Sequence, residues 1–200
     1  MEWHERNQKN KSVVWEHWQK LNCASPEDAE KIFYESFEQD VNWNGSHPFN
    51  QIIGVEAVLE KFWKPMIKAF PDLKYDPSIL LGGMSGGDAW VSGYGYLTGT
   101  FVNDWLGIMA SGKKTNINFG QFFVIKDEKI SESYVIFDIL SVMRQAGFQV
   151  LPPALGQEGG KVIKPASNGI LLTEQDALET RKTMQLVLAM ANSMRWYNRT

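Results

Sequence analysis

The stretch 119–147, FGQFFVIKDEKISESYVIFDILSVMRQAG, constrains the fold more than any other part of this chain. It reads as a strand, a tight charged turn, a second strand and a short helix. Phe119, Phe122, Phe123, Val124 and Ile125 populate the first strand, Asp127 and Glu128 sit at the reversal, and the second strand runs over about 130–137. Asp138 is placed to cap the helix, because its carboxylate can accept the free backbone N–H groups of the first turn. Gly147 suits the left-handed position that ends a helix, where a Cβ is penalised.

The rest of the chain has an order that fits this unit. A helix is predicted over 12–22, with Val14, Trp18 and Leu21 on one side. Ser25-Pro26-Glu27-Asp28 opens a second, expected to run to about residue 39 and to bury Ala29, Ile32, Phe33 and Phe37. A short extended piece follows at 41–43, then a turn at Asn44-Gly45-Ser46. Over 54–70, Val55, Val58, Leu59, Phe62, Trp63 and Met66 form an apolar stripe at helical spacing. Pro65 inside it predicts a kink that partly frees the Lys61 carbonyl. From Lys74 onward the period becomes two, giving strands near 74–83, 89–102, 115–126 and 130–137. Trp90, Ser92, Tyr94, Tyr96, Thr98 and Thr100 share one face of the second of these, and Gly93, Gly95 and Gly99 the other. Such a glycine face marks strong curvature or close approach of another element. Helices first and an antiparallel meander afterwards imply an α+β fold with helices on one sheet face.

After Gly147 the texture becomes irregular. Leu151-Pro152-Pro153 and Gln157-Glu158-Gly159-Gly160 read as an arm to about residue 172, and Thr173 with Asp176 as the cap of a final helix. Met184, Val187, Leu188, Ala191 and Met194 give that helix an apolar face that needs a cover: its own sheet, a second subunit or further chain. The expected divisions are an N-terminal helical extension (1–24), a central domain (25–147), an irregular linker (148–172) and a C-terminal helix (173–200).

Composition narrows the function. A net charge of −3 argues against a nucleic-acid surface, and Lys113-Lys114, the one compact basic pair near a strand, reads as a solvated strand end. The single cysteine, Cys23, excludes an intramolecular disulfide. The N-terminus mixes charge throughout with no apolar signal core, and no run is long enough to span a bilayer, so a cytoplasmic protein is expected. His4 and His17 are spaced wrongly for a helical metal pair, and no phosphate or dinucleotide loop is present; neither metal nor cofactor is expected. Eight tryptophans and eleven phenylalanines suit either a dense core or an aromatic cavity for a flat ligand.

With these elements in place, the chain resembles the SnoaL-like polyketide cyclase and ester cyclase family of the nuclear-transport-factor-2-like superfamily. The resemblance spans about residues 28–147: Gly54 before a long helix, Ala-Phe-Pro-Asp-Leu at 69–73, Gly99-Thr100-Phe101, then Leu106-Gly107-Ile108 and Ser111-Gly112-Lys113, and the closing strand and helix. It implies a cone, a curved antiparallel sheet wrapped on helices, with an apolar pocket at the open end and a homodimer through the exposed sheet face. It also implies intramolecular closure of a carbonyl compound, in which a carboxylate takes a proton beside the carbonyl and a donor steadies the enolate. The family's closing strand ends W-D-x-x-D. Its first Asp, the acid/base, falls on Val135 here, and a second pocket position, often His, falls on Gln121, which cannot carry a proton at neutral pH.

Substitutes for that pair are few. His47 is the only histidine outside the N-terminal helical region and is either a titrating group at the pocket or a surface loop imidazole. Asp138, matching the family's second Asp, is either a helix cap or a pocket group. Asp104 is a loop residue unless its loop folds inward, and Tyr94 and Tyr96 are packing residues or phenolic donors. The expected site is therefore catalytic His47 and Asp138, with Trp43, Tyr96, Gln121, Val135 and Phe137 against a small apolar or aromatic ligand. The expected function is acid/base chemistry on a small apolar carbonyl compound, the alternative a non-catalytic ligand-binding or scaffold module. Residues 180–196 also resemble the opening helix of another such domain.

Overall fold

The computed structural model describes residues 3–150, 152 and 169–194. Two helices, α1 (Trp3–Cys23) and α2 (Pro26–Ser36), lead into strand β1 (Phe37–Gly45) and the short β2 (Gln51–Ile53). A helical segment follows as α3 (Val55–Val58), a π turn (Leu59–Trp63) and α4 (Lys64–Ala69). Then come β3 (Lys74–Ser85), β4 (Asp88–Thr100), β5 (Lys114–Lys126), β6 (Lys129–Phe137) and α5 (Ile139–Gln145). Strand β7 (Gly169–Ile170) and helix α6 (Ala177–Met194) complete the described chain. The seven strands form one sheet in the order β2-β1-β6-β5-β4-β3-β7. The predicted four-strand meander is its antiparallel centre; β1 pairs with β6 and β7 with β3 in parallel, additions at the flanks.

Several local expectations are met by specific contacts. Ser25 caps α2 by accepting from the Asp28 N–H at 3.1 Å. That helix stops at Ser36, short of the expected residue 39, because Phe37 turns extended and pairs opposite Ile130 in the sheet. Tertiary pairing overrides a local pattern there. Around Pro65, where a kink is expected, the helix changes to a π turn. Pro65 has no N–H to return to Lys61, and the segment absorbs the loss one turn earlier: the Lys64 N–H reaches the Leu59 carbonyl, a π bond.

The helices cover one face of the sheet. Trp18, Phe33, Trp43, Phe62, Trp63 and Phe70 anchor a single continuous core on that side, joined by Val91, Leu97, Ile117, Phe119 and Phe123 from the strands. The glycine face of β4 belongs to this inner side: a Cβ on Gly93 would meet Trp18 Cη2 at 2.2 Å. Close approach of a helix is thus the reason for glycine. The opposite face is open. Cross-strand register sets Leu81, Ser92, Phe122 and Tyr134 in one row and Ile79, Tyr94, Gly120 and Ile136 in the next.

The C-terminal helix departs from expectation in its cap and its surroundings. Asp176 alone is the cap, accepting from the N–H groups of Leu178 at 2.8 Å and Glu179 at 2.9 Å, while Thr173 accepts from the Gln175 amide. Every residue of α6 is exposed, so none of the described chain, the sheet included, covers Met184, Val187, Leu188, Ala191 or Met194. Leu151, Pro153, residues 157–160 and Trp196 of the expected arm and domain opening lie outside the described residues.

Candidate functional site

In the interior, the two positions expected to stand where the family carries its acid/base pair are neighbours: Gln121 on β5 faces Val135 on β6 across the ladder. Both point inward, as alternation along β6 requires; Val135 is 2% exposed while Ile136 behind it is 60% exposed. The space above them is occupied. Trp18 of α1 crosses Gly93 and its indole N–H donates to Gln121 Oε1 at 2.9 Å. Tyr75 stacks on Trp18 at 5.9 Å between ring centroids and its hydroxyl shares a hydrogen bond with Gln121. Burial raises that phenol's pKa, the Gln121 bond opposing the effect in part. Gln121 therefore spends its amide on joining helix to sheet. Trp43 packs on Phe62, centroids 4.8 Å apart, in the same closed core.

An open cavity of about 590 Å³ lies at the mouth instead. Three structural elements converge on it. Ser46, His47 and Pro48 come from the turn after β1; Leu106, Gly107 and Ile108 come from the loop between β4 and β5. Phe137 and Asp138 end β6, and Ile139, Leu140 and Met143 of α5, with Phe148, form the remaining wall. The loop is held by a two-residue reversal at Leu106-Gly107, both at positive φ, with Trp105 and Ile108 bridged on either side. Asp104 accepts from the Ala110 N–H at 2.8 Å, so it staples this loop and does not face the cavity. Helix α5 is seated by Gln145, whose amide accepts from the Asn116 N–H at 3.0 Å and donates to the Asn116 carbonyl at 2.7 Å, continuing the ladder beyond the end of β6.

Both expected catalytic residues face this cavity. His47 is exposed on its rim. Asp138 is also the cap of α5: Oδ1 accepts from the Ser141 N–H at 2.9 Å and Oδ2 from the Asn118 amide at 3.3 Å. The two readings of Asp138 thus coexist in one side chain. Behind it, Tyr94 and Tyr96 sit 6.1 Å apart. Burial first, then the Tyr96 hydroxyl and the charges of Tyr96 and Asp138, push the Tyr94 phenol up to about 12. Both tyrosines belong to the sheet's outer side, since alternation sets them opposite Gly93, Gly95 and Leu97.

Of the expected ligand-side residues, only Phe137 lines the mouth cavity; it stacks on Phe62 at 5.5 Å and closes the cavity floor. Trp43, Gln121 and Val135 are inward but belong to packed core, and Tyr96 lies on the far side of the sheet. Their expected places assumed an open interior, and Trp18 fills it. The expectation that Val135 floors a cavity is met in direction and corrected in surroundings. Ser46, Leu140, Met143 and Phe148 went unnoticed in the sequence. Leu106-Gly107-Ile108 stood out there as a motif, and its apolar ends beside a glycine turn were the available signal. Among the described residues no cluster of histidine, cysteine and carboxylate could hold a metal, and no helix is long and apolar enough to cross a membrane.

Comparison with known proteins agrees with this architecture. The model of the SnoaL-like polyketide cyclase family matches residues 16–146. Among solved structures, a candidate SnoaL-like polyketide cyclase from Jannaschia sp. CCS1 superposes with a TM-score of 0.60 at 19% identity, covering 74% of this chain and 95% of its own. AclR, a candidate hydroxylase from Streptomyces galilaeus, gives a TM-score of 0.58 at 18% identity over 73% of this chain and 99% of its own. A SnoaL-like polyketide cyclase from Agrobacterium tumefaciens C58 gives 0.54 at 17% identity over 69% and 98%. No curated protein matches the chain. At these identities the solved structures speak for the nuclear-transport-factor-2-like fold alone, and the family match over 16–146 carries the assignment: the chain belongs to the SnoaL-like polyketide cyclase family.

Proposed function

We propose that this protein binds a small apolar carbonyl compound in the mouth cavity and acts on it by acid/base chemistry, with His47 as the proton carrier. The observation that carries this reading is that His47 and Asp138, from two different elements, line one mainly apolar cavity. In the proposed step a neutral His47 imidazole takes a proton from the carbon beside the ligand carbonyl, and the electron pair moves to the carbonyl oxygen. Asp138, whose carboxylate is fixed by Ser141 and Asn118, is the other acid/base group on the cavity lining. The apolar walls of Leu106, Ile108, Leu140 and Met143 suit a flat hydrocarbon body. The outer sheet rows of Leu81, Phe122, Tyr134 and Ile136 support a homodimer across that face.

A second reading is a binding module without catalysis. It is favoured by the interior pair, where Val135 cannot titrate and Gln121 is engaged with Trp18. Deuterium exchange at the methyl carbon of 2-acetylnaphthalene in D2O, followed by proton NMR, separates the two. Enzyme-accelerated exchange that falls to the buffer rate in the His47→Ala, Asp138→Asn double variant supports the enzyme; binding without acceleration supports the module. Asparagine still caps a helix, so the second substitution preserves α5.

A further inference from the structure

The cavity wall contains one polar group that the fold leaves without a partner. Ser46 Oγ is shut away from solvent and makes no hydrogen bond, and among the described buried side-chain atoms in that condition it alone belongs to a residue of the mouth cavity. His17, Trp63 and Ser133 carry similar atoms, but in the closed core. A buried hydroxyl without a partner loses its hydration and gains nothing in return. Such groups are uncommon in folded proteins and call for a reason.

The backbone of Ser46 is fixed from both sides. Its N–H donates to the Val135 carbonyl at 3.0 Å, and its own carbonyl accepts from the Phe49 N–H at 3.0 Å. The side chain therefore has one freedom, rotation about Cα–Cβ among three staggered positions. Ser46 neighbours His47 in sequence and lines the same cavity as Asp138. A carbonyl oxygen entering there is an acceptor with no competing partner on the protein, and the hydroxyl is a donor with none. Asp138 is no alternative donor to that oxygen, since its carboxylate acts as an acceptor, from Ser141 and Asn118.

We propose that Ser46 is the ligand-positioning donor of this site: its hydroxyl turns into the cavity and hydrogen-bonds the carbonyl oxygen of a neutral ketone or ester, selecting it over a hydrocarbon of the same shape. This rests on the proposed mouth-cavity function and adds the group that reads the ligand's polar end. If proton transfer follows, the same hydroxyl faces the oxygen on which enolate charge develops.

The test compares 2-acetylnaphthalene with 2-ethylnaphthalene, nearly equal in shape and differing in the acceptor. Affinities are measured by calorimetry on the full chain and on Ser46→Ala, with the carbonyl stretch of the bound ketone recorded by infrared difference spectroscopy. The expected result is ketone binding about 3- to 10-fold weaker in Ser46→Ala, the worth of one neutral hydrogen bond, with hydrocarbon affinity unchanged. The carbonyl stretch is expected at lower frequency in the wild type than in the variant, and Ser46→Thr, which keeps the hydroxyl, to restore the shift. Equal loss for both probes, or a stretch that does not move, overturns the role of Ser46 and leaves the cavity reading intact. Failure of both probes to bind the wild type overturns both.

Discussion

His17 makes the stability of this protein depend on pH in a way that one substitution should reveal. The imidazole is fully buried on α1, with the rings of Phe33 and Phe37 each 5.2 Å away and edge-on, and its Nδ1 has no partner. Burial, and secondarily the charge of Lys20 one turn along, hold its pKa down to about 3 against 6.5 in the open chain. The folded value lies below the unfolded one, so the unfolded chain takes up a proton that the native state refuses. The stabilisation is complete above pH 6.5 and drains away as the pH falls towards 3. Between pH 6.5 and pH 4.5 the loss from this residue is two pKa units, or about 3 kcal/mol. That is a large share of the roughly 5–15 kcal/mol that holds a domain together. The assay is urea unfolding at pH 7.0 and pH 4.5, followed by tryptophan fluorescence, on the wild type and His17→Leu. Carboxylates titrate in both proteins and cancel in the comparison. The wild type should lose about 3 kcal/mol more than the variant between the two pH values. Equal losses would refute the claim that His17 is held neutral by burial.

Two further outcomes are expected. Val135→Asp places a carboxyl in packed core without a partner and should lower stability by about 3 kcal/mol or more in a denaturant melt, without gain of proton-exchange activity; an active, stable variant would show that the interior opens. Ile136→Lys, at a position 60% exposed on the outer face, should leave the fold intact by circular dichroism and convert a dimer to a monomer by light scattering, and an unchanged mass would remove that face as the interface.

The framework of the fold was legible because its signals are local. Alternation found all four central strands within a few residues, Ser25 and Asp138 marked two helix starts through their own hydrogen bonds, and Gly93 announced a close neighbour. Where non-local contacts decide, the reading fell short. Phe37 suits the helical stripe of α2 as well as the strand it joins, and only β6 settles it. Tyr96 was a ligand candidate although alternation had already grouped it with Trp90, Ser92 and Tyr94, the face the helices do not cover. Position in the ladder outranked residue type there. The mouth cavity was the least visible feature. Its walls come from the turn at 46–48, the loop at 106–108 and the segment 137–148, which meet only after the sheet has formed.

The packing of Trp18 explains why the interior beside Gln121 and Val135 is closed. An indole needs an apolar bed and an acceptor for its N–H when buried. Gly93 provides the bed by having no side chain, and Gln121 provides the acceptor, on adjacent strands of the same row. Val135, next in that row, adds apolar surface where a carboxylate would have been left beside the rings without water. Each of the three residues is thus fitted to Trp18, and none of them to a ligand. The mouth cavity opens instead at the rim between α5, the loop at 106–108 and the turn at Ser46 and His47. Under the proposed function, chemistry on a molecule bound there uses groups at that rim, and the polar ones are Ser46, His47 and Asp138. The inward packing of Gln121 and Val135 on Trp18 and the proposed roles of those three rim residues are therefore compatible parts of one packing arrangement.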